Sequence, residues 1–275
     1  MSIALVTVVT YGINSAGGFA AVMDNARALP GYLSLNNTFD AANNASNSFS
    51  FISIVSTLAW GIGYFGMPHI LVRFMAIEDE KKLTLSRRIA SVWVVIAMTV
   101  GIFIGVVGLA MTKAGSLENL ADSETVIVRI TGLISRHGVI AALIAGVILA
   151  GILAATMSTS DSQLLTAASG VSQNILHDFF HIEMDEKKSL LTARLTIVAI
   201  AVVAVFMARN PNSSVFGIVS FAWAGFGAAF GAVMLCALFW KRSTLAGAIS
   251  GMIAGGVMVF VWKYLVRPNV SFLNF

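Results

Sequence analysis

Residues 60–69 read Trp60-Gly61-Ile62-Gly63-Tyr64-Phe65-Gly66-Met67-Pro68-His69. They lie inside the apolar run 49–75, long enough for a membrane-spanning helix. Glycine and proline cost a helix interior about 1 and 3 kcal/mol against alanine. Clustered here, they free backbone amides and carbonyls in the middle of the run. In lipid such groups need a protein or water-filled surrounding. Helices broken in this way build solute sites in secondary transporters. The competing reading is a glycine-packed, proline-kinked structural helix. Gly61, Gly63 and Gly66 also spell a dinucleotide fingerprint, but no strand precedes them and the run is a membrane span, so that reading is rejected. Trp60 and Tyr64 stand four apart and share a helix face. They can pack a small organic solute or a neighbouring helix.

The surrounding composition fixes the solvent. Of 275 residues, 57% are hydrophobic and 11% charged, and the mean hydropathy is +0.87. A soluble domain carries about 25% charged residues, so lipid is the expected surrounding. Seven spans are expected near 2–23, 49–75, 88–112, 138–165, 190–208, 213–240 and 244–266, an all-α integral membrane protein with about seven transmembrane helices. Their apolar runs are continuous and do not alternate, which argues against a strand barrel. Cys236 is the single cysteine, which excludes an internal disulfide and a cysteine-rich metal site. The net charge of +4 is spread over loops and suggests orientation, not nucleic-acid binding. Basic pairs such as Lys81-Lys82, Arg87-Arg88, Lys187-Lys188 and Lys241-Arg242, with Arg73, fall in one alternating set of loops. The positive-inside rule puts that set in the cytoplasm, with the N-terminus cytoplasmic too. Residues 24–47 read as irregular surface, and 116–135 as a helical segment along the membrane face. Residues 1–23 lack the basic start of a signal peptide; an internal methionine read as a start fits that segment.

A second polar cluster sits deep in the fourth span, Ala154-Ala155-Thr156-Met157-Ser158-Thr159-Ser160-Asp161-Ser162-Gln163. Ala155, Ser158, Thr159 and Ser162 recur at helical spacing and line one face. Oxygen ligands suit a hard cation, and an ionisable residue at such depth, Asp161, is a functional hypothesis by default. Hydroxyls also bond between membrane helices for structural reasons alone. In the sixth span Gly227 and Gly231 permit close helix contact, and Trp223 and Phe226 can wall a cavity. His177 and His181 have the spacing of paired helical metal ligands, but no glutamate adjoins His177, and an interfacial role is favoured. Four histidines are too few for a multi-histidine di-iron site. There is no nucleophile elbow, P-loop or metalloprotease motif, so no enzyme activity is expected.

These motifs resemble the sodium/solute symporter family and, within it, the sodium/proline symporters. Three blocks carry the likeness: residues 60–76 (WGIGYFGMPHILVRFMA), 154–165 (AATMSTSDSQLL) and 221–255 (FAWAGFGAAFG, then FWKRSTLAGAISGMIAG). Arg242, Gly247, Ala248, Gly251 and Gly255 fit the family's C-terminal signature. The resemblance covers essentially the whole chain. It implies a leucine-transporter-like fold of two inverted five-helix repeats, present in part. Residues 1–23 would be the last helix of repeat one, 49–240 the second repeat and 244–266 the following helix, all in one membrane domain fragment, 1–275. It implies sodium as the coupling ion, held by Ala155, Ser158 and Thr159, with Asp161 and Ser162 as a secondary ion site or coupling pair. It implies a small solute, proline or a similar molecule, against Trp60, Tyr64 and Pro68. The partners are then this solute and the lipid bilayer of the cell membrane. Met67 stands where sodium/proline symporters often carry glutamine.

The function expected is therefore sodium-coupled symport of a small solute, with two rivals. One is a membrane sensory module serving a solute-responsive kinase; the other is an inactive truncated product. The four preceding core helices, the family's extra first helix and a tail after Phe275 are expected to be missing. The first core helix supplies the other part of the family's sodium site, so the chain by itself is expected to show no sodium-dependent uptake.

Overall fold

The computed structural model describes residues 2–209 and 214–270. The expected start of the sixth span at 213 lies outside the described residues, as do residue 1 and the tail at 271–275. Among the described residues five helices are long and apolar enough to cross a membrane, and seven spans result if each of two bent pairs counts as one. The chain is an all-α integral membrane protein. It divides into two compact units: residues 1–49 with 78–158, and residues 50–77 with 159–275.

The first unit opens on α1 (Ser2–Ser15) and α2 (Phe19–Arg27). The expected single span 2–23 is bent by 80° between them. Gly17 and Gly18 make the turn at φ 93° and 101°, a region that costs glycine nothing. A second correction concerns 24–47, expected to be irregular throughout. Strands β1 (Asn37–Asp40) and β2 (Ala45–Ser48) pair there as an antiparallel hairpin. Its turn is built by Asp40, whose Oδ1 accepts from the Ala42 amide at 2.9 Å and whose Oδ2 accepts from Asn43 Nδ2 at 2.7 Å. Short polar side chains thus do the pairing work that the composition concealed.

The long helix α5 (Lys82–Lys113) follows, then α6 (Val126–Ile134) and the start of α7 (Val139–Ser169). The segment expected as a helix over 116–135 is helical only in its second half, where α6 and the short turns flanking it lie. The core of this unit gathers Val8, Val22, Val107, Met111, Ile130 and Ile148, each at most 2% exposed. Buried Thr131 satisfies its hydroxyl on the Ile127 carbonyl at 2.7 Å. Gly12 lets α1 close on α5, because a Cβ there would overlap Val107 and press on Met111 Sδ.

The second unit contains α3 (Phe51–Gly63), α4 (Pro68–Met75), the end of α7 with the π-helical segment Gly170–Phe179, and α8 (Glu186–Ala208). It closes with α9 (Val215–Phe226), the π-helical turn Gly227–Gly231, α10 (Ala232–Phe239) and α11 (Leu245–Val261). The most apolar window of α8 is 0% buried. Its Val202, Val205 and Phe206 are exposed, as suits an apolar solvent.

Two outcomes follow for the first unit. Gly12→Val overpacks the α1–α5 contact and lowers the melting temperature of the detergent-solubilised chain, by about 1–3 kcal/mol of stability. Gly132→Ala, at a helical position with open space around it, leaves it unchanged or raises it. In the hairpin, the Asn43 side chain and then the Ala42 and Asn43 amides hold the Asp40 carboxyl below its ordinary value. The turn is therefore fully supported above the ordinary carboxylate pKa and loses that support as pH falls through the lowered one. Protection of the Asn43 amide, taken relative to its intrinsic exchange rate, should fall over that acid window, and Asp40→Asn should abolish the pH dependence of that protection.

Candidate functional site

The break foreseen in residues 60–69 is present. Helix α3 ends at Gly63, a single 3₁₀ turn covers Tyr64–Gly66, and α4 starts at Pro68. The two halves are bent by 56°. Met67 is extended, at φ −89° and ψ 109°, and places Pro68 at the first helical position, where its missing N–H costs nothing. The Met67 carbonyl accepts from both Ile70 and Leu71 at 3.1 Å, while its amide donates to the Tyr64 carbonyl at 3.3 Å. The break thus satisfies its own backbone through short local bonds.

The contact that seats this break is made by glycines. A Cβ on Gly66 would overlap the Phe226 carbonyl, one on Gly63 the Trp223 ring, and one on Gly227 would stand 2.9 Å from Gly63 Cα. A Cβ on Gly231 would stand 2.9 Å from the Ile62 carbonyl oxygen. Gly227 and Gly231 are the small-residue pair of the sixth span, and the turn they bound is π-helical. Single π turns inside α-helices occur often at functional sites. Gly255 continues the pattern, bringing α11 onto the Ala228 carbonyl.

An aromatic shelf lies beside the break. Trp223 donates from Nε1 to the Trp60 carbonyl at 3.1 Å. Trp60 stacks on Trp223 at 5.8 Å and on Phe216 at 5.6 Å. Tyr64 meets Trp223 edge-on at 4.7 Å. Trp60 and Tyr64, expected to share a face, are brought together on one indole. Pro68 shapes the start of α4. Trp60 and Trp223 line a cavity of about 1090 Å³ together with Phe221, Lys263 and Tyr264, whereas Tyr64 and Pro68 are not in its lining. That is at the upper end for a ligand pocket, so it is roomier than a snug site for one amino acid. Lys263 Nζ stands 3.7 Å over the Phe221 ring, which places a cation on an aromatic face in this wall.

The hydroxyl face lies on α7, which runs unbroken from Val139 to Ser169. Ala155, Ser158, Thr159 and Asp161 are exposed, and Ser162 is half-buried. Their spacing keeps Ala155, Ser158, Thr159 and Ser162 on one face. The donors available there are oxygens, the set a hard cation takes. Ser162 is engaged by Arg73 of α4, whose Nη2 donates to Ser162 Oγ at 3.0 Å. His177 Nδ1 is paired with the Asp178 carboxylate at 2.8 Å.

The sequence alone did not single out Phe216 or the Arg73–Ser162 bond. Phe216 carries no signal in an apolar run. Arg73 did carry one: it is the single charge in α4, and counting it among loop charges hid it.

The profile of the Sodium:solute symporter family matches residues 1–255. The "Osmoregulated proline transporter OpuE" of Bacillus subtilis is 41% identical over 213 residues, 78% of this chain and 42% of that protein. The "Sodium/proline symporter" of Staphylococcus aureus is 36% identical over 275 residues, 98% of this chain and 50% of that protein. The chain spans about half the length of the curated relatives it matches. No solved structure matches it.

The geometry yields a test of its own. Gly66→Ala should force α3–α4 away from the Phe226 carbonyl, and Trp fluorescence should report a changed surrounding for Trp60 and Trp223. Gly61→Ala, with open space around it, should leave the spectrum as it is. Identical spectra for the two variants would remove the glycine contact as the seat of the break.

Proposed function

The chain belongs to the sodium:solute symporter family, and we propose that it serves sodium-coupled symport of a small solute, proline, across the cell membrane. The observation that carries this reading is the 56° break between α3 and α4 with the Trp60–Trp223–Tyr64 shelf beside it. A broken span in lipid is kept only where it lines a cavity or is packed in protein, and broken spans are where secondary transporters hold their solutes. The names of the two relatives above support proline as the solute.

In this reading Trp60 and Tyr64 give the ring of the solute an apolar face, and Pro68 fixes the direction in which α4 leaves the site. Ala155 offers a carbonyl, and Ser158 and Thr159 offer hydroxyls, to the sodium ion. Three oxygens do not complete the shell of a hard cation, and the family's first core helix is the source of the others. The ion moves down its gradient, and the membrane potential adds about 2.3 kcal/mol per charge per 100 mV. Asp161 and Ser162 act in coupling. The chain is placed as residues 1–23 from the end of repeat one, 49–240 as repeat two, and 244–266 as the helix after it. Its N-terminus is cytoplasmic, by the basic inner loops.

The test is transport. This chain, put in place of the matching half of the Staphylococcus aureus sodium/proline symporter, should take up labelled proline into proteoliposomes only under an inward sodium gradient. In that chimera Ser158→Ala and Thr159→Ala should each raise the sodium concentration for half-maximal uptake, roughly fivefold for the loss of one ligand bond of about 1 kcal/mol. Expression should hold, since alanine favours the helix. Tyr64→Ala should weaken proline affinity more than it weakens folding. Asp161→Asn should alter sodium dependence less than the hydroxyl changes. Uptake indifferent to sodium, or sodium dependence lost in Asp161→Asn and kept in both alanine variants, would overturn this assignment of the ion site.

A further inference from the structure

We propose that Arg73 is a positioning residue of the ion site: it clamps the half-helix after the break onto the hydroxyl face of α7, and its charge sets how tightly that face holds a cation. This rests on the reading of that face as a sodium site.

The clamp is read from the second unit alone. Arg73 stands in the last turn of α4 and donates to Ser162 Oγ at 3.0 Å. Helix α4 is only 8 residues long, and its other end hangs on the extended residue Met67. A segment held at a break by a few local bonds takes its direction from whatever holds its far end. A hydrogen bond with a charged donor is stronger than a neutral one, so Arg73 is suited to that task. Lysine would offer a point charge without the guanidinium fork.

The second argument is electrostatic. Ser162 follows Thr159 by three positions and Ser158 by four, so it lies one turn along the same face. Among the described residues Arg73 forms no ion pair. A guanidinium bonded to Ser162 therefore repels a cation arriving at Ser158 and Thr159, and the repulsion is greater at membrane depth than in water. With α4 docked the face holds the ion loosely. With α4 swung away the repulsion falls and the face holds it firmly. By linkage, the ion in turn favours the swung position. The break and the ion face are thereby coupled through one residue that touches neither the solute shelf nor the ion.

Two measurements test this. The first uses the chain itself in liposomes, with Cys236→Ala and spin labels at Phe74→Cys and Gln163→Cys, both exposed positions. Double electron–electron resonance should give one narrow distance between α4 and α7. Arg73→Gln and Ser162→Ala should each broaden it, and Arg73→Lys should restore it in part. The second uses the chimera. Arg73→Gln should lower the sodium concentration for half-maximal uptake about threefold or more by removing the repelling charge, with the KM for proline at saturating sodium nearly constant. Arg73→Lys should keep the parent sodium value. A merely structural residue would move both constants and would not separate the glutamine variant from the lysine one. Unchanged distances in both Arg73→Gln and Ser162→Ala overturn the clamp, and an unchanged or raised sodium requirement in Arg73→Gln overturns the role of its charge. Absence of sodium-dependent uptake by the parent chimera is failure of the sodium-site reading instead, and the distances still decide the clamp.

Discussion

Two backbones meet without side chains between them where Gly63 and Gly66 face Gly227 and the Phe226 carbonyl. The second unit depends on this approach. A helix that stops in the middle of a span exposes polar backbone, and lipid offers nothing to bond it. Here the Tyr64 amide turns to the Ile62 carbonyl, and the Trp60 carbonyl accepts the indole N–H of Trp223. That second bond forms only because α9 lies close enough to bring Trp223 across. The glycines permit the approach, the approach delivers the indole, and the indole carries both Trp60 and Tyr64. One larger residue at Gly66 would separate the helices and undo the shelf with them.

The hydroxyl face of α7 obeys a different constraint. Its helix is continuous, so its polar groups are set by spacing alone and need no break to aim them. Serine and threonine in a membrane helix commonly bond their own preceding carbonyls, as Thr156 does to Ile152 and Thr166 to Ser162. The face is tied to its surroundings at Ser162, by a cation. An oxygen-rich surface with an arginine at one end is an electrostatic arrangement, not only a packing one.

Much of this was legible in the sequence, for reasons that differ by element. The spans at 88–112 and 190–208 are found because lipid demands about 20 apolar residues, and a run of that length has few other uses. The break at 60–69 is found because glycine and proline act locally on the backbone. The 80° turn at Gly17 and Gly18 was passed over, since two glycines in an apolar run signal packing as often as a bend. The hairpin at 37–48 was missed because its strands, NTFD and ASNS, are mostly Asn, Ser and Asp, which seldom signal a strand, and are held by turn bonds. The partners of the site residues were the least legible. Trp223 stands 163 positions from Trp60, and no periodicity links them; their pairing is a product of tertiary packing around glycines.

The departure at Met67 shows how position outweighs residue type at a break. The resemblance led us to expect a polar side chain at this place, and its replacement by methionine would read as a lost solute contact. Yet Met67 is 4% exposed and its backbone is extended, so its side chain is packed away while its amide and carbonyl hold the two half-helices. The exposed groups at the break are Tyr64 and Phe65, at 49% and 42%. A methionine buried here gives flexible apolar filling to an irregular gap, and an amide in its place would need a buried partner of its own. What position 67 contributes to the site of this chain is therefore the geometry of its backbone, and the apolar face presented beside the break is set by Trp60, Tyr64 and Trp223.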